Sequence, residues 1–125
     1  MEQQLIYKEE SYQIIGKCME VHNELGYGFL EIVYKDALEI LFRQSRIMFE
    51  REKEYSVYYK NILLSHKFYA DFVVFDKIIL EIKAISTLTD ADIAQTINYL
   101  KISNNKLGLL VNFGKEKLEY KRLVF

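Results

Sequence analysis

Three charged side chains, Asp71, Glu81 and Lys83, lie within two short apolar runs of the kind that normally form buried strands. The runs are rich in β-branched and aromatic residues and are separated by a short polar break, so we predict a β-hairpin. Glu81 and Lys83 are two residues apart, and strand alternation therefore places them on one face. Ionised groups among apolar side chains are costly unless they pair or bind a metal. The pattern indicates either a divalent-metal site or an internal salt-bridge cluster of the three residues.

The turn between the two runs decides whether Asp71 and Glu81 share a face. A tight two-residue turn at residues 76–77 would place the two carboxylates on opposite faces and would break a metal site. An odd-numbered loop, for instance residues 76–78, or a bulge in either strand would pair Asp71 with Lys83 and leave Glu81 diagonal to Asp71 on the same face. A metal site therefore predicts an irregular turn.

Length, composition and charge restrict the class of protein. The 125 residues, of which 50% are hydrophobic, favour one compact domain over residues 1–125. The formal net charge is −1, so the chain lacks the global basic field that free nucleic-acid binders usually show, and any DNA contact has to be local.

We find neither a signal peptide nor an apolar run of membrane-spanning length, and we expect a cytoplasmic protein that does not contact a membrane. Ten tyrosines and eight phenylalanines exceed what a small core easily buries, so we expect a homodimer.

The first helix is predicted from apolar residues at helical spacing, between Ser11, a candidate cap, and about Leu25. Cys18 lies on this stripe, and we interpret it as a core residue because nothing nearby in the sequence would lower its pKa. His22 lies one turn further, at the border of the stripe, where a hydrogen-bonded structural role is favoured over a catalytic one. Gly26 follows at a position suited to a left-handed helix cap.

A second helix is predicted from Leu30 to about Arg46, with Glu31 in its first turn. The helix dipole favours a carboxylate there, so an N-terminal charge alone would explain Glu31. Glu31 and Tyr34 lie three residues apart on a shared flank. The predicted buried stripe of this helix consists of Val33, Ala37, Leu38, Leu41 and Phe42.

The rest of the chain alternates between extended and helical patterns. Lys60 and Asn61 form a plausible tight turn between a strand at residues 54–59 and a strand that begins at Ile62. Thr89 and Asp92 resemble a capping box that opens a third helix. Strands at residues 107–113 and 118–125 complete the predicted order α-α-β-β-β-α-β-β.

Residues 28–34, GFLEIVY, closely resemble the motif that names the GxxExxY protein family, a branch of the PD-(D/E)XK nuclease superfamily. The resemblance extends over nearly the whole chain, and its downstream part is similar to the Q-x-x-x-Y motif of RecB-type nucleases. The matching positions include His22, Glu31, Asp71, Glu81, Ile82, Lys83, Gln95 and Tyr99. Ala70 departs from the pattern, because it stands where the name of the superfamily has proline.

The resemblance implies an α/β (α+β) fold with a restriction-endonuclease-like core, in which helices flank a central mixed β-sheet. It implies that Mg²⁺, or Mn²⁺ in its place, is held by Asp71, Glu81 and the Ile82 carbonyl, with Glu31 reaching the ion directly or through water. The ammonium of Lys83 would orient or help deprotonate an attacking water and would offset phosphate charge, while the metal stabilises the developing oxyanion.

Further roles follow from the same resemblance. Gln95 would position a water, the metal shell or the nucleic-acid backbone. Tyr99 would stack or form hydrogen bonds nearby, and Tyr34 and His22 would also contact the substrate. The resemblance and the charged strands together lead to our main hypothesis, a Mg²⁺-dependent nuclease that cuts phosphodiester bonds in DNA. The alternative is a non-catalytic nuclease-like module that binds nucleic acid or a partner protein.

The charged residues lead to two further expectations. A basic surface strip would favour DNA, although a solvated charged surface explains the same residues equally well. The strip would consist of Arg43, Arg46, Arg51, Lys53, Lys115, Lys117, Lys121 and Arg122. Within the site, we expect Lys83 to be the only internal counter-charge. Removal of the charge of Asp71 or Glu81 should then leave the metal-free protein equally or more stable, because like carboxylates repel each other.

Overall fold

A computed structural model describes residues 5–125 of the chain. Its elements follow the order α-α-β-β-β-α-β-β, as the sequence predicts. The helices are α1 (Lys8–Leu25), α2 (Glu31–Gln44) and α3 (Asp90–Ser103), and the strands are β1 (Phe49–Tyr59), β2 (Ile62–Val74), β3 (Ile78–Lys83), β4 (Leu107–Asn112) and β5 (Glu119–Val124). None of the helices within the described residues combines the length and the apolar character needed to cross a membrane.

The five strands form one mixed sheet in the order β1-β2-β3-β4-β5. β3 and β4 are parallel and are connected through α3, whereas the other neighbouring pairs are antiparallel. The predicted mixed sheet flanked by helices is therefore confirmed. β3 and β4 are buried along almost their whole length, which explains their nearly continuous apolar sequences.

The helices cover both faces of the sheet. Residues of α1 and α2 form the larger apolar core with one face, to which Phe72, Leu80 and Val111 contribute. A smaller cluster on the other face contains Leu100 of α3 and Ile79 of β3. The site residues of β2 and β3 therefore lie between two layers of helices.

The helices depart from the sequence predictions in three places. α1 begins at Lys8 rather than at Ser11, whose buried hydroxyl donates to the Tyr7 carbonyl inside the first turn. Gly26 has the expected positive φ, 71°, but its ψ of −166° is not left-handed helical. α2 buries Tyr34 instead of leaving it on a flank with Glu31, because the helix turns this side chain towards Phe113.

The predicted turn and cap signals are confirmed. Lys60 and Asn61 both have positive φ, as a two-residue hairpin turn requires. Thr89 and Asp92 form a capping box at the start of α3. Each residue accepts a hydrogen bond from the backbone N–H of the other, and this fixes where α3 begins after β3.

The basic residues that could have formed a strip lie in separate parts of the surface. β1, which carries Arg51 and Lys53, and β5, which carries Lys121 and Arg122, are opposite edges of the sheet. The basic residues of β1 are also paired locally. Arg51 donates to Asp36 at 2.7 Å, and the Lys53 ammonium lies 2.8 Å from a carboxylate oxygen of Glu50.

Candidate active site

β2 and β3 separate at the point where Asp71 and Glu81 face each other. Their ladder consists of Val74↔Ile78, Val73↔Ile79 and Phe72↔Leu80, and Asp71 and Glu81 are the next opposing residues. The loop between the strands contains three residues, 75–77. The predicted odd-numbered loop is confirmed, but it lies one residue earlier than residues 76–78, so that Asp71 opposes Glu81 rather than Lys83.

The two carboxylates satisfy the backbone amides that this separation leaves without ladder partners. The Asp71 N–H donates to Glu81 Oε2 at 2.7 Å, and the Ile82 N–H donates to Asp71 Oδ2 at 2.8 Å. The Lys83 carbonyl accepts from the N–H of Phe113, the residue that follows β4. Successive carbonyls of a strand point to opposite sides, so the Ile82 carbonyl points towards the gap. Two carboxylates and one carbonyl therefore meet at this gap.

Lys35 of α2 is the central cation on one side of the gap. Its ammonium lies 2.7 Å from Asp71 Oδ1, 3.3 Å from Glu52 Oε1 and 3.4 Å from Glu31 Oε2. The Lys35 side chain is only 10% exposed. The expectation that Lys83 is the only internal counter-charge is therefore wrong. The nearest cation to Glu31 is this ammonium, which stands between Glu31 and Asp71.

α3 places a second set of side chains on the other side of the gap. Asp92 Oδ1 lies 3.9 Å from the Lys83 ammonium, while its other oxygen accepts from Thr89 in the capping box. Gln95 and Tyr99 follow Asp92 by three and seven residues, which places all three on one side of the helix. Gln95 is exposed, and Tyr99 packs edge-to-face on Phe68.

The electrostatics of the site follow from this crowding of charges. Burial and the negative charge of Asp71 raise the pKa of Glu81 to about 8. Burial would lower the pKa of Lys35, but the hydrogen bond and charge of Asp71, together with Glu52, hold this pKa above its usual value. Burial raises the pKa of Tyr99, and the charges of Glu81 and Asp71 contribute to the increase. Tyr99 therefore lies within the field of the two carboxylates.

Tyr34 and His22 do not have the substrate-binding positions that the sequence resemblance implied. Tyr34 is fully buried, donates to the Gly26 carbonyl at 2.7 Å and stacks on Phe113 at 4.6 Å. His22 is 6% exposed, and its Nε2 lies 2.8 Å from the Lys115 carbonyl oxygen. Both side chains hold α1 and α2 against the end of β4. These contacts fit the structural interpretation of His22. Cys18 is fully buried, which fits its interpretation as a core residue.

The residues at the gap fit a hard divalent cation, although the fit is incomplete. Among residues 5–125, no three His, Cys, Asp or Glu side chains are gathered closely enough to form a ready metal centre. Asp71, Glu81 and the Ile82 carbonyl nevertheless supply oxygen ligands, and Mg²⁺ is usually held by one or two carboxylates together with water and phosphate. Burial and, after it, the negative charge of Asp71 raise the pKa of Glu81, and a cation would relieve the second of these causes.

Sequence reasoning missed Lys35, Glu52 and the contact of Asp92 with Lys83. Lys35 could have been found, because it lies four residues after Glu31 and therefore on the same side of α2. Glu52 offered no signal, since it lies in a strand rich in charged residues. Asp92 was recognised as a capping residue, but its second oxygen was not assigned a partner.

Comparisons with known proteins show the family of this chain and its fold. A family model described as the PD-(D/E)XK nuclease superfamily matches residues 8–123. A solved structure titled "Crystal structure of SSO0001" is similar with a TM-score of 0.61 and 17% sequence identity, over 94% of this chain and 60% of that protein. At this identity the likeness shows the fold alone, and this chain spans less than two thirds of that protein. No curated protein matches the sequence. Since the family model covers nearly the whole described chain, the protein belongs to the PD-(D/E)XK nuclease superfamily.

Proposed function

We propose that this protein is a metal-dependent nuclease that hydrolyses phosphodiester bonds in DNA, with Mg²⁺ as its cofactor and Mn²⁺ as a substitute. We also place it in the GxxExxY branch of the superfamily. The observation that carries the proposal is the pair of facing carboxylates, Asp71 and Glu81, at the separation of β2 and β3. Superfamily membership supports nuclease activity, and members generally use divalent metals.

Asp71, Glu81 and the Ile82 carbonyl would hold the cation. When bound, it would supply Lewis-acid stabilisation of the negative charge that develops on the phosphate. Glu81 is the ligand most affected by metal binding, because its carboxyl group has to lose its proton before it can act as a charged ligand.

Lys83 is the residue we propose to orient the attacking water. Its side chain is 25% exposed and lies 3.9 Å from Asp92, so the ammonium is accessible to a substrate on the α3 side of the gap. Its positive charge would also offset the charge of the scissile phosphate. Gln95 and Tyr99 lie on the side of α3 that carries Asp92, where an exposed amide and a half-buried phenol would contact water or the nucleic-acid backbone.

A second candidate function is a non-catalytic module that binds nucleic acid or a partner protein. One observation favours it: the Lys35 ammonium already neutralises part of the carboxylate cluster through Asp71 Oδ1. A cluster that is balanced by its own lysine could persist without a metal.

A cleavage assay with two site variants separates the two functions. Linear, nicked and single-stranded DNA and a single-stranded RNA would be incubated with the protein in Mg²⁺ or in Mn²⁺. Cleavage by the wild-type protein that is lost in both Glu81→Gln and Lys83→Met would support the proposal. If the wild-type protein binds the nucleic acids but cleaves none of them, the non-catalytic module is favoured. In crystals soaked with Mn²⁺, anomalous density between Asp71 and Glu81 is expected.

We also propose that the protein forms a homodimer through the outer half of the β1–β2 hairpin. Residues 61–67 are all exposed, so both faces of this two-stranded ribbon meet solvent. Its exposed apolar side chains are Tyr58, Tyr59, Ile62, Leu63, Leu64 and Tyr69. β1 is also an edge of the sheet, which leaves backbone groups available for pairing with a second copy.

A further inference from the structure

The Lys35 ammonium has three carboxylate neighbours within 3.4 Å, and the proposed reaction does not use it. A lysine with a 10% exposed side chain is costly to bury unless it is paired. Its contacts connect three elements, since Glu31 belongs to α2, Glu52 to β1 and Asp71 to β2. Lys35 therefore belongs to the site and not to the solvated surface.

Glu52 reaches Lys35 from an unusual backbone conformation. Its φ is 54°, a left-handed value that side chains with a Cβ disfavour. The β1–β2 ladder pairs Arg51 with Phe72 and Lys53 with Ala70, but it leaves out Glu52 and Asp71, which lie between them. Such conformations persist where surrounding contacts enforce them, and here the contact is an ion pair with Lys35 at 3.3 Å.

The ammonium occupies the free oxygen of Asp71. Asp71 Oδ2 accepts from the Ile82 N–H, whereas Oδ1 lies 2.7 Å from Lys35 Nζ. Any cation that uses Asp71 Oδ1 must therefore compete with Lys35. Glu52, whose side chain is 50% exposed, offers the displaced ammonium a second carboxylate.

We propose that Lys35 and Glu52 form an exchangeable counter-ion pair, in which the Lys35 ammonium holds Asp71 until a divalent cation displaces it towards Glu52. The inference rests on the metal site of the proposed function. Two consequences follow. Lys35 weakens cation binding by competition, and Glu52 strengthens it by holding the displaced ammonium.

The test is the affinity of the DNA-free protein for Mn²⁺, measured by electron paramagnetic resonance of the free ion. Lys35→Met removes the competitor and keeps an apolar stem, so Mn²⁺ should bind more tightly by about 10- to 100-fold, the range usual for residues around metal ligands. Damage to the fold would weaken binding instead. Lys35→Arg, which keeps the charge, should stay close to the wild-type affinity. Lys53→Met is the matched control, because it removes a lysine charge that is paired with Glu50.

Glu52→Gln tests the second half of the pair and should weaken Mn²⁺ binding. Glu54→Gln removes the same charge from a β1 residue that contacts Tyr69, and it should leave the affinity unchanged. In the double variant Lys35→Met with Glu52→Gln, the effect of Glu52 should disappear, because Glu52 acts through the lysine. If Lys35→Met does not fold, Lys35→Gln takes its place and should likewise bind Mn²⁺ more tightly. If neither variant folds, the test is the Mn²⁺ affinity of Glu52→Gln compared with that of Glu54→Gln.

The outcomes separate this inference from the proposed function. The exchangeable pair is overturned if the wild type binds Mn²⁺ and Lys35→Met does not increase the affinity. It is also overturned if Glu52→Gln does not weaken binding. Either result leaves the metal site intact. A failure of every variant to bind Mn²⁺ would overturn both the pair and the metal dependence. If Lys35→Met binds Mn²⁺ and the wild-type protein does not, the Lys35 ammonium blocks the site completely, and this result supports the exchangeable pair.

Discussion

Asp71 and Glu81 each contact backbone amide hydrogens across the gap between β2 and β3. The Asp71 N–H donates to Glu81 Oε2, and the Ile82 N–H donates to Asp71 Oδ2. A β-sheet that opens between two strands leaves amides that must find partners when they are buried. Here the side chains of the site supply those partners, so the same carboxylates stabilise the open strands and face the position where a cation and a phosphate would bind.

Glu81 should make the stability of the metal-free protein depend on pH. Its pKa is about 8 in the folded protein, against an ordinary value of 4.5. Between these values the folded state binds a proton that the unfolded state has lost, so the free energy of unfolding should fall as pH rises through this window. The slope should approach about 1.4 kcal/mol per pH unit. Urea denaturation from about pH 5 to about pH 8 measures it, and Glu81→Gln should flatten this part of the profile. An equal slope in Glu81→Gln would show that another group is responsible.

Asp71→Asn and Glu81→Gln should differ in their effects on stability at neutral pH, although both should lose cleavage. The sequence predicted that neither change would destabilise the fold, but Lys35 alters that expectation for Asp71. Asp71→Asn deprives a buried ammonium of its contact at 2.7 Å, and should cost about 1–3 kcal/mol. Glu81→Gln replaces a carboxyl group that is largely protonated at neutral pH, because its pKa is about 8, and should change the stability little. Equilibrium denaturation in chelator compares them, and equal destabilisation would contradict the role of Lys35.

The order of elements could be predicted because each carries a local signal. The Thr89 and Asp92 capping box, the Lys60 and Asn61 turn and the apolar β4 all depend on residues close in the sequence. Helix starts were less predictable. The N-cap of α1 is Tyr7, which offers no side-chain capping bond, so no capping residue marked the start at Lys8.

The site could be predicted only where its residues share one strand or one helix. Glu81 and Lys83 are linked by strand alternation, but the position of Asp71 opposite Glu81 depends on a loop whose first residues, Phe75 and Asp76, adopt positive φ. The approach of Glu52 to Lys35 depends on another positive φ in β1. Unlike Lys60 and Asn61, Phe75 and Glu52 carry no sign of this conformation in the sequence, because side chains of these types disfavour it.

Gly114→Ala should destabilise the connection between β3 and α3. A Cβ at Gly114 would lie 2.1 Å from the Ile85 carbonyl oxygen and 2.4 Å from the Ile85 nitrogen, and backbone atoms cannot move aside cheaply. The loss should be at least about 3 kcal/mol. Gly16→Ala is the matched control, because nothing lies within 4 Å of its Cβ and an alanine inside α1 should stabilise by about 0.5–1 kcal/mol. Thermal unfolding compares the stability of both variants with that of the wild type. A Gly114→Ala variant as stable as the wild type would contradict the prediction.

The homodimer should depend on the outer half of the β1–β2 hairpin. The paired replacement of Tyr58 and Ile62 by serine removes two strongly exposed apolar side chains from this ribbon. Light scattering should then give the mass of one chain, 14.9 kDa, where the wild type gives twice that value. Ile40→Ser, which removes an exposed apolar residue from α2, should leave the dimer intact. A wild-type protein that is monomeric at micromolar concentration would remove the proposal.

Lys83→Met should separate catalysis from metal binding. The change keeps the aliphatic stem and removes an ammonium that lies 3.9 Å from Asp92 and is not among the proposed ligands of the cation. Turnover on DNA should fall by about 10²- to 10⁴-fold, the usual effect of losing an acid–base group, while the Mn²⁺ affinity should be retained. Because the Lys83 side chain is 25% exposed, its contact with Asp92 is partly screened, and the loss of stability should stay below about 1 kcal/mol. Lys121→Met on β5 controls for the loss of one positive charge. If Lys83→Met cleaves DNA at the wild-type rate, Lys83 only balances the charge of its neighbours, and the catalytic assignment of Lys83 is wrong.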